Sequence, residues 1–284
     1  MGEPPNAILT VTCPDRPGLI SAVTSMLALH GTNVIEAEQH SERTTERFFM
    51  RVEFQPRGAS LEAVSSGMTA LASQFEMEWK LRSTANPKRM GILVSKYDHC
   101  LLDLVWRVRA GEISAEIGCV ISNHPDLRQE VEGFGIPFHH TPVSGGTRAG
   151  AEQDQLNRLQ SYGVDFVVMA RYMQILSPVF LAGYPMQVIN VHHGLLPAFA
   201  GAKPYDQARD RGVKIIGATA HYATEVLDDG PIIDQEAVRV THRQTVAEMV
   251  QIGRDAERLV LARAVRAHSE DRVFLDGRRT VVLG

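Results

Sequence analysis

Two stretches of this sequence carry side chains able to steady a negative charge and to move a proton. One is Asn190-Val191-His192-His193-Gly194-Leu195-Leu196-Pro197; the other spans 217–231 and contains His221 and Asp228. Side chains alternate along an extended chain, so Asn190 and His192 face the same space. An amide N–H donates to a developing oxyanion there, and an imidazole exchanges a proton near neutral pH. Taken one at a time, the same residues have plainer readings. Asn190 can tie up a turn, His192 can be a hydrogen-bonded buried histidine, and Asp228-Asp229-Gly230-Pro231 can be a turn whose aspartates bond locally. A metal site made of His192, His193, His221 and Asp228 is disfavoured. Adjacent extended residues point apart, and the zinc-ligand spacing is absent.

The elements that must hold these groups follow from the pattern of apolar residues. After residue 87, strands alternate with helices: strand 90–95, helix 100–109, strand 115–121, helix 126–134, strand 138–140, helix 152–162, then strands 165–170 and 186–191. The segment DFVVMA at 165–170 is apolar on both sides, as a strand covered on both faces must be. The alternation predicts a Rossmann-like, mainly parallel sheet with helices on both faces, its ligand held at the carboxyl ends of the strands. Asn190 and His192 stand at one such end. Segments 214–223 and 231–240 read as a hairpin-like excursion around the Asp-Asp-Gly turn. Thr245-x-x-Glu248 is a capping box that opens a long helix, with Val246, Met249, Val250, Ala256 and Val260 facing inward.

Residues 1–86 predict a separate α+β unit: strand 7–12, a helix carrying Leu19, Ile20, Val23, Met26 and Leu27 on one face, strands 33–39 and 47–54, helix 61–73 and strand 76–82. This is ferredoxin-like ordering. Phe48, Met50, Val52 and Phe54 alternate onto one side of their strand. The polar, proline-bearing stretch STANPK at 83–88 reads as the linker, giving domains 1–86 and 87–284.

Composition removes several functions. Residues 1–86 carry 7 basic and 10 acidic side chains and the remainder 22 and 23, so neither part has the basic excess that nucleic-acid binding needs. Residues 172–202 hold no charge, but Pro178, Pro185, Pro197 and two histidines interrupt them, which argues against a membrane span. Three scattered cysteines and an N-terminus without a secretory pattern suit the cytoplasm. The chain has no GxGxxG, GxxxxGK[ST], GxSxG or HExxH, so the phosphate loops, the serine nucleophile elbow and the zincin motif are all missing.

The combination NVHHGLLPAFAGAKPY … GATAHYATEVLDDGPII resembles the folate-dependent formyltransferases, and within them the formyltetrahydrofolate deformylases. Near the start, CPDRPGLI resembles an ACT domain, which those deformylases carry before the catalytic domain; DFVVMARYMQILSP and the final RVFLDGRRTVVL also read like this family. The resemblance implies Asn190, His192 and Asp228 as the catalytic trio, with His221 beside it. It implies a pterin pocket lined by Met173, Gln174, Ile175 and Leu176, with His193 close by. It further implies 10-formyltetrahydrofolate as substrate, hydrolysed to formate and tetrahydrofolate without a metal or other cofactor, in one-carbon metabolism and purine biosynthesis. An amino-acid effector near Asp15, Gly18 and Asn33, and a homo-oligomer, are the expectations for the ACT part. His193 stands where purine-pathway transformylases have proline, which favours hydrolysis. Gly194 departs from the serine usual in the motif, removing a hydroxyl and loosening the backbone. The alternatives are a formyltransferase that passes the formyl group to an amine through the same trio, and a folate-binding or amino-acid-sensing protein without catalysis.

Overall fold

The computed structural model describes residues 5–198 and 204–284, with Pro204 described by its backbone alone. The stretch AGAKP at the end of the first motif therefore falls almost wholly outside the described residues. Contacts divide the chain into Met1–Pro87 with Glu270–Gly284, and Lys88–Ser269.

In the first unit, β1 (Ala7–Pro14), α1 (Leu19–Leu29), β2 (Asn33–Glu42), β3 (Arg47–Gln55), α2 (Leu61–Phe75) and β4 (Glu78–Ser83) follow the expected order. The sheet runs β2-β3-β1-β4 with antiparallel neighbours throughout. Leu9, Val11, Phe48, Met50, Val52 and Phe54 bury against Leu19, Val23 and Leu27 of α1 and Val64 and Met68 of α2. The other face of β3 is covered as well, by the end of the chain. Phe49 packs on Phe274 and Leu283, and burying a side chain of that kind is worth about 1.5–3 kcal/mol. Arg51, 2% exposed, donates to Glu270 O at 2.8 Å, Glu36 Oε2 at 2.9 Å and Glu53 Oε2 at 3.1 Å. Arg272 adds bonds to Glu36 and Glu270, both at 2.9 Å. The sequence reading gave residues 270–284 to the second domain. These contacts join them to the first, because the outward row of β3 is itself apolar or charged and needs partners.

The second unit contains β5 (Lys88–Val94), α3 (His99–Arg109), β6 (Ala115–Ser122), α4 (Arg128–Gly133), β7 (Phe138–His140), α5 (Arg148–Ser161), β8 (Phe166–Ala170), α6 (Pro178–Gly183), β9 (Val188–His192), α7 (Pro204–Asp210), β10 (Ile215–Tyr222), β11 (Ile232–Arg239) and α8 (Val246–Ser269); β12 (Val273–Asp276) and β13 (Arg279–Val282) form the terminal hairpin of the first unit. Seven strands run β11-β10-β9-β8-β5-β6-β7. Pairing is parallel from β9 through β7 and antiparallel at β9–β10 and β10–β11. The pair read as a hairpin-like excursion is thus part of the main sheet. β10 pairs with β9, and β11 stands outside it as the edge strand of the sheet.

The chain leaves β5 to one side for β6 and β7, then returns to the other side for β8 and β9. Open α/β sheets form their ligand crevice at the carboxyl ends of the strands flanking such a reversal. Here those ends are Val94 and Ala170. The uncharged stretch after β8 contains α6, capped by Ser177, whose Oγ accepts from Phe180 N at 3.2 Å, with Pro178 in the first turn. Thr245 and Glu248 cap α8 reciprocally, at 2.7 Å and 3.2 Å. Among the described residues no helix is long and apolar enough to cross a membrane.

Candidate active site

Asn190 and His192 lie two residues apart on β9, and the antiparallel register sets His221 of β10 opposite Asn190 and Thr219 opposite His192. A bulge at Ala220/His221 in the pairing with β11 re-aims this stretch of β10. His221 Nδ1–H donates to Tyr222 O at 2.9 Å, which leaves Nε2 to accept from Asn190 Nδ2–H at 3.1 Å. Burial pushes the His221 pKa down, so the ring is held neutral in this tautomer. Its effect is to orient the Asn190 amide, leaving the second Nδ2 hydrogen for the space beyond.

Asp228 reaches the pair from the β10–β11 turn. Its backbone is left-handed, φ 57°, a conformation aspartate tolerates better than most residues. Gly230 makes the turn possible, because a Cβ there would lie 1.7 Å from Tyr222 O. Asp228 Oδ2 stands 3.3 Å from His192 Nδ1 and Oδ1 stands 4.0 Å from His221 Nε2. Asp228 thus meets His192 at Nδ1, and both residues line the same cavity.

The loop after β9 needs no side chain at Gly194 to stay in place. Thr219 Oγ1 donates to Gly194 O at 2.8 Å and accepts from Leu196 N at 3.0 Å, while Gln235 Nε2 donates to Leu196 O at 2.9 Å. His193 lies between His192 and Tyr205, its ring tilted against both, with centroids 5.3 Å and 6.1 Å away. Burial, aided by the charge of Arg171, lowers its pKa to about 4, so it is neutral at physiological pH.

These groups open on a cavity of about 580 Å³ at the ends of β5, β8 and β9. One wall is apolar and includes Met173, Ile175 and Leu227; Met173 and Ile175 are each 52% exposed, apolar surface left bare inside a cleft. Gln174 lines the same cavity, while Leu176 lines a recess of about 40 Å³ beside Asn190 and His221. The loop is anchored at both ends. Met173 N donates to Ser95 Oγ at 3.0 Å, Ser95 donates to Asn123 at 2.7 Å, Gln155 donates to Tyr172 OH at 2.9 Å, and Ser177 N donates to Glu152 at 3.1 Å.

The opposite wall is charged, and the sequence reading missed it. Glu257 of α8 accepts from His99 Nε2 at 2.8 Å and from Tyr205 OH at 3.3 Å, with Arg171 Nε 3.4 Å away. Burial opposes ionisation of Glu257, but the His99 hydrogen bond and Arg171 outweigh it and hold the carboxyl below its usual range. Gly253 gives Tyr205 its place, since a Cβ would lie 1.9 Å from the hydroxyl. The available signal was topological: residues just past β5 and β8 border the crevice. His99, Cys100 and Glu257 also bring donor atoms within 4.8 Å of one another. Burial and Glu257 push the Cys100 thiol well up, and Arg171 already neutralises the carboxylate, so the set fits an ion pair better than a cation site. Of the remaining expected residues, Asp15 and Gly18 flank the β1–α1 turn and Asn33 opens β2, all in the first unit.

The formyl transferase family matches residues 88–265 and the ACT domain family matches 7–63. The formyltetrahydrofolate deformylase of Bacillus subtilis is 47% identical over 277 residues, covering 96% of this chain and 92% of that protein. That of Mycobacterium bovis is 49% identical over 278 residues, covering 96% and 89%. A crystal structure of a formyltetrahydrofolate deformylase from Pseudomonas syringae superposes with a TM-score of 0.96 at 44% identity, covering 100% of this chain and 96% of that one. Glycinamide ribonucleotide transformylase 1 from Symbiobacterium toebii superposes at 0.67 with 31% identity, covering 72% and 98%.

Proposed function

Because this chain belongs to the formyltetrahydrofolate deformylase family, we infer that it hydrolyses 10-formyltetrahydrofolate to formate and tetrahydrofolate, with Asn190, His192 and Asp228 as the catalytic groups. The observation that carries the assignment is the chain of contacts from Asn190 to His221 at 3.1 Å, His221 to Asp228 at 4.0 Å and Asp228 to His192 at 3.3 Å, with Asn190, His192 and Asp228 lining the cavity. The pterin lies against Met173, Gln174 and Ile175, with backbone groups of that loop meeting its ring edge and Leu176 and His221 closing the floor. The N10-formyl carbon then stands beside Asn190 and His192.

Water attacks that carbon and Asp228 takes its proton. The carbonyl oxygen becomes an oxyanion between Asn190 Nδ2–H and protonated His192 Nε2–H, both held in place before the reaction and shielded from solvent. As the C–N10 bond breaks, a proton returns to N10 and formate leaves. Asp228 on His192 Nδ1 favours the imidazolium through this step. No step calls on a metal, so turnover persists in a strong chelator.

Transfer of the formyl group to an amine is the second reading, favoured by the similarity to the Symbiobacterium toebii transformylase. Incubation with 10-formyltetrahydrofolate and no amine separates the two. Formate release by the native protein, lost in Asp228→Asn, supports hydrolysis; release only when an amine is supplied overturns it. For the first unit the reading adds an amino-acid effector near Asp15, Gly18 and Asn33, in keeping with the ACT match, and a homo-oligomer paired through β2, where Ile35 is 51% exposed on an edge strand. The cytoplasm suits a folate substrate.

A further inference from the structure

The trio serves water and an amine equally well, so the choice of nucleophile must be made elsewhere in the cavity. The charged wall has the features of such a device. Arg171 follows β8 with φ 61°, a backbone conformation that a long side chain adopts only when its surroundings hold it there. Its guanidinium lies 5.3 Å over the Tyr97 ring and 3.4 Å from Glu257. The side chain is 11% exposed, and its buried Nε makes no hydrogen bond.

Glu257 is the buried carboxylate on this wall, the kind of group that would receive an ammonium or amine N–H. Both its oxygens are already engaged, Oε2 by His99 and Arg171 and Oε1 by Tyr205. The carboxylate is thus already matched by an imidazole, a guanidinium and a hydroxyl. We propose that Arg171 is the specificity-determining residue that confines the reaction to water: clamped between Tyr97 and Glu257 in the cavity that Asn190, His192 and Asp228 also line, it takes the place on Glu257 that an amine acceptor requires. The inference rests on the hydrolytic reading above. Without Arg171, an amine nitrogen attacks the formyl carbon, the C–N10 bond breaks, N10 takes up a proton and the amine gives one up.

The test is a product ratio. Native protein, Arg171→Gly and Arg171→Lys are each incubated with 10-formyltetrahydrofolate alone, with hydroxylamine, and with glycinamide, and formate and formylated amine are quantified. Glycine is at ease at this φ, so the first variant relaxes the backbone; Arg171→Asn, also tolerant of it, is the second opening variant if glycine does not fold. Native protein and Arg171→Lys are expected to give formate with only a trace of formylglycinamide. The opened variants raise the ratio of formylglycinamide to formate about tenfold or more, while the ratio for hydroxylamine, little larger than water, changes far less. Equal glycinamide ratios in native and opened proteins overturn the proposal while leaving hydrolysis standing. A native protein that releases no formate without amine overturns the hydrolytic reading, and this inference with it.

Discussion

Two arginines, Arg51 buried in one unit and Arg171 half-buried in the other, show how differently the same side chain is used. Arg51 in β3 is enclosed on a relaxed strand and gives its donors to Glu36, Glu53 and the Glu270 carbonyl. Arg171 sits on a left-handed residue at the rim of a cavity, pairs with one carboxylate at 3.4 Å, and leaves Nε without a hydrogen bond. A saturated, unstrained guanidinium closes a fold. One on costly backbone, with a buried donor unmet and a cavity beside it, is shaped for what enters that cavity.

Three experiments sharpen or break this contrast between groups that hold the fold and groups that serve the cavity. The largest effect is expected for Asn190→Ala. Losing one oxyanion donor lowers kcat by about 10²–10³-fold, with the thermal midpoint little changed; formate release and calorimetry on the same sample check both. Next is Arg51→Ala, with the opposite signature. Removing one partner from a buried ionic cluster costs about 3 kcal/mol, read by denaturant unfolding, while the folded fraction still releases formate. If Arg51→Ala abolished turnover without loss of stability, the contrast would fail.

The smallest effect is in pH. His193 titrates at about 4 in the fold against 6.5 in the open chain. Between those values the unfolded chain binds a proton that the folded one refuses, so stability falls as pH drops below 6.5. From pH 7 to pH 5 the native protein should lose about 2 kcal/mol more than His193→Phe, which keeps a ring beside Tyr205. Glu257 acts in a lower window: its depressed pKa stabilises the fold above the ordinary carboxylate range, and that contribution is lost only as pH falls through the folded value. Equal losses in native and His193→Phe protein between pH 7 and pH 5 would remove His193 from the account.

Much of the site was readable in one dimension because its logic is local. Asn190 and His192 share a face by the period of two, and Asp228 sits in a turn whose composition announces it. His221 is different. It meets Asn190 only because β9 and β10 pair antiparallel in one register, and the excursion expected there is instead two strands of the main sheet. The charged wall was invisible for the same reason: His99 and Glu257, 158 residues apart, carry no local pattern. In the first unit, the alternation of Phe48, Met50, Val52 and Phe54 exposed one buried face, and the intervening Phe49 and Arg51 looked like the solvent side. Residues 270–284 cover that side from the far end of the chain.

The sequence by itself therefore determined the element order, the family and the strand end that carries Asn190 and His192, since hydrophobic period, turn chemistry and short motifs act over a few residues. Only the tertiary structure decided which distant groups share the cavity. Crossover connections and strand register bring β5, β8, β9 and α8 to one place, and there an arginine and a histidine meet a buried glutamate to which no local pattern connects them.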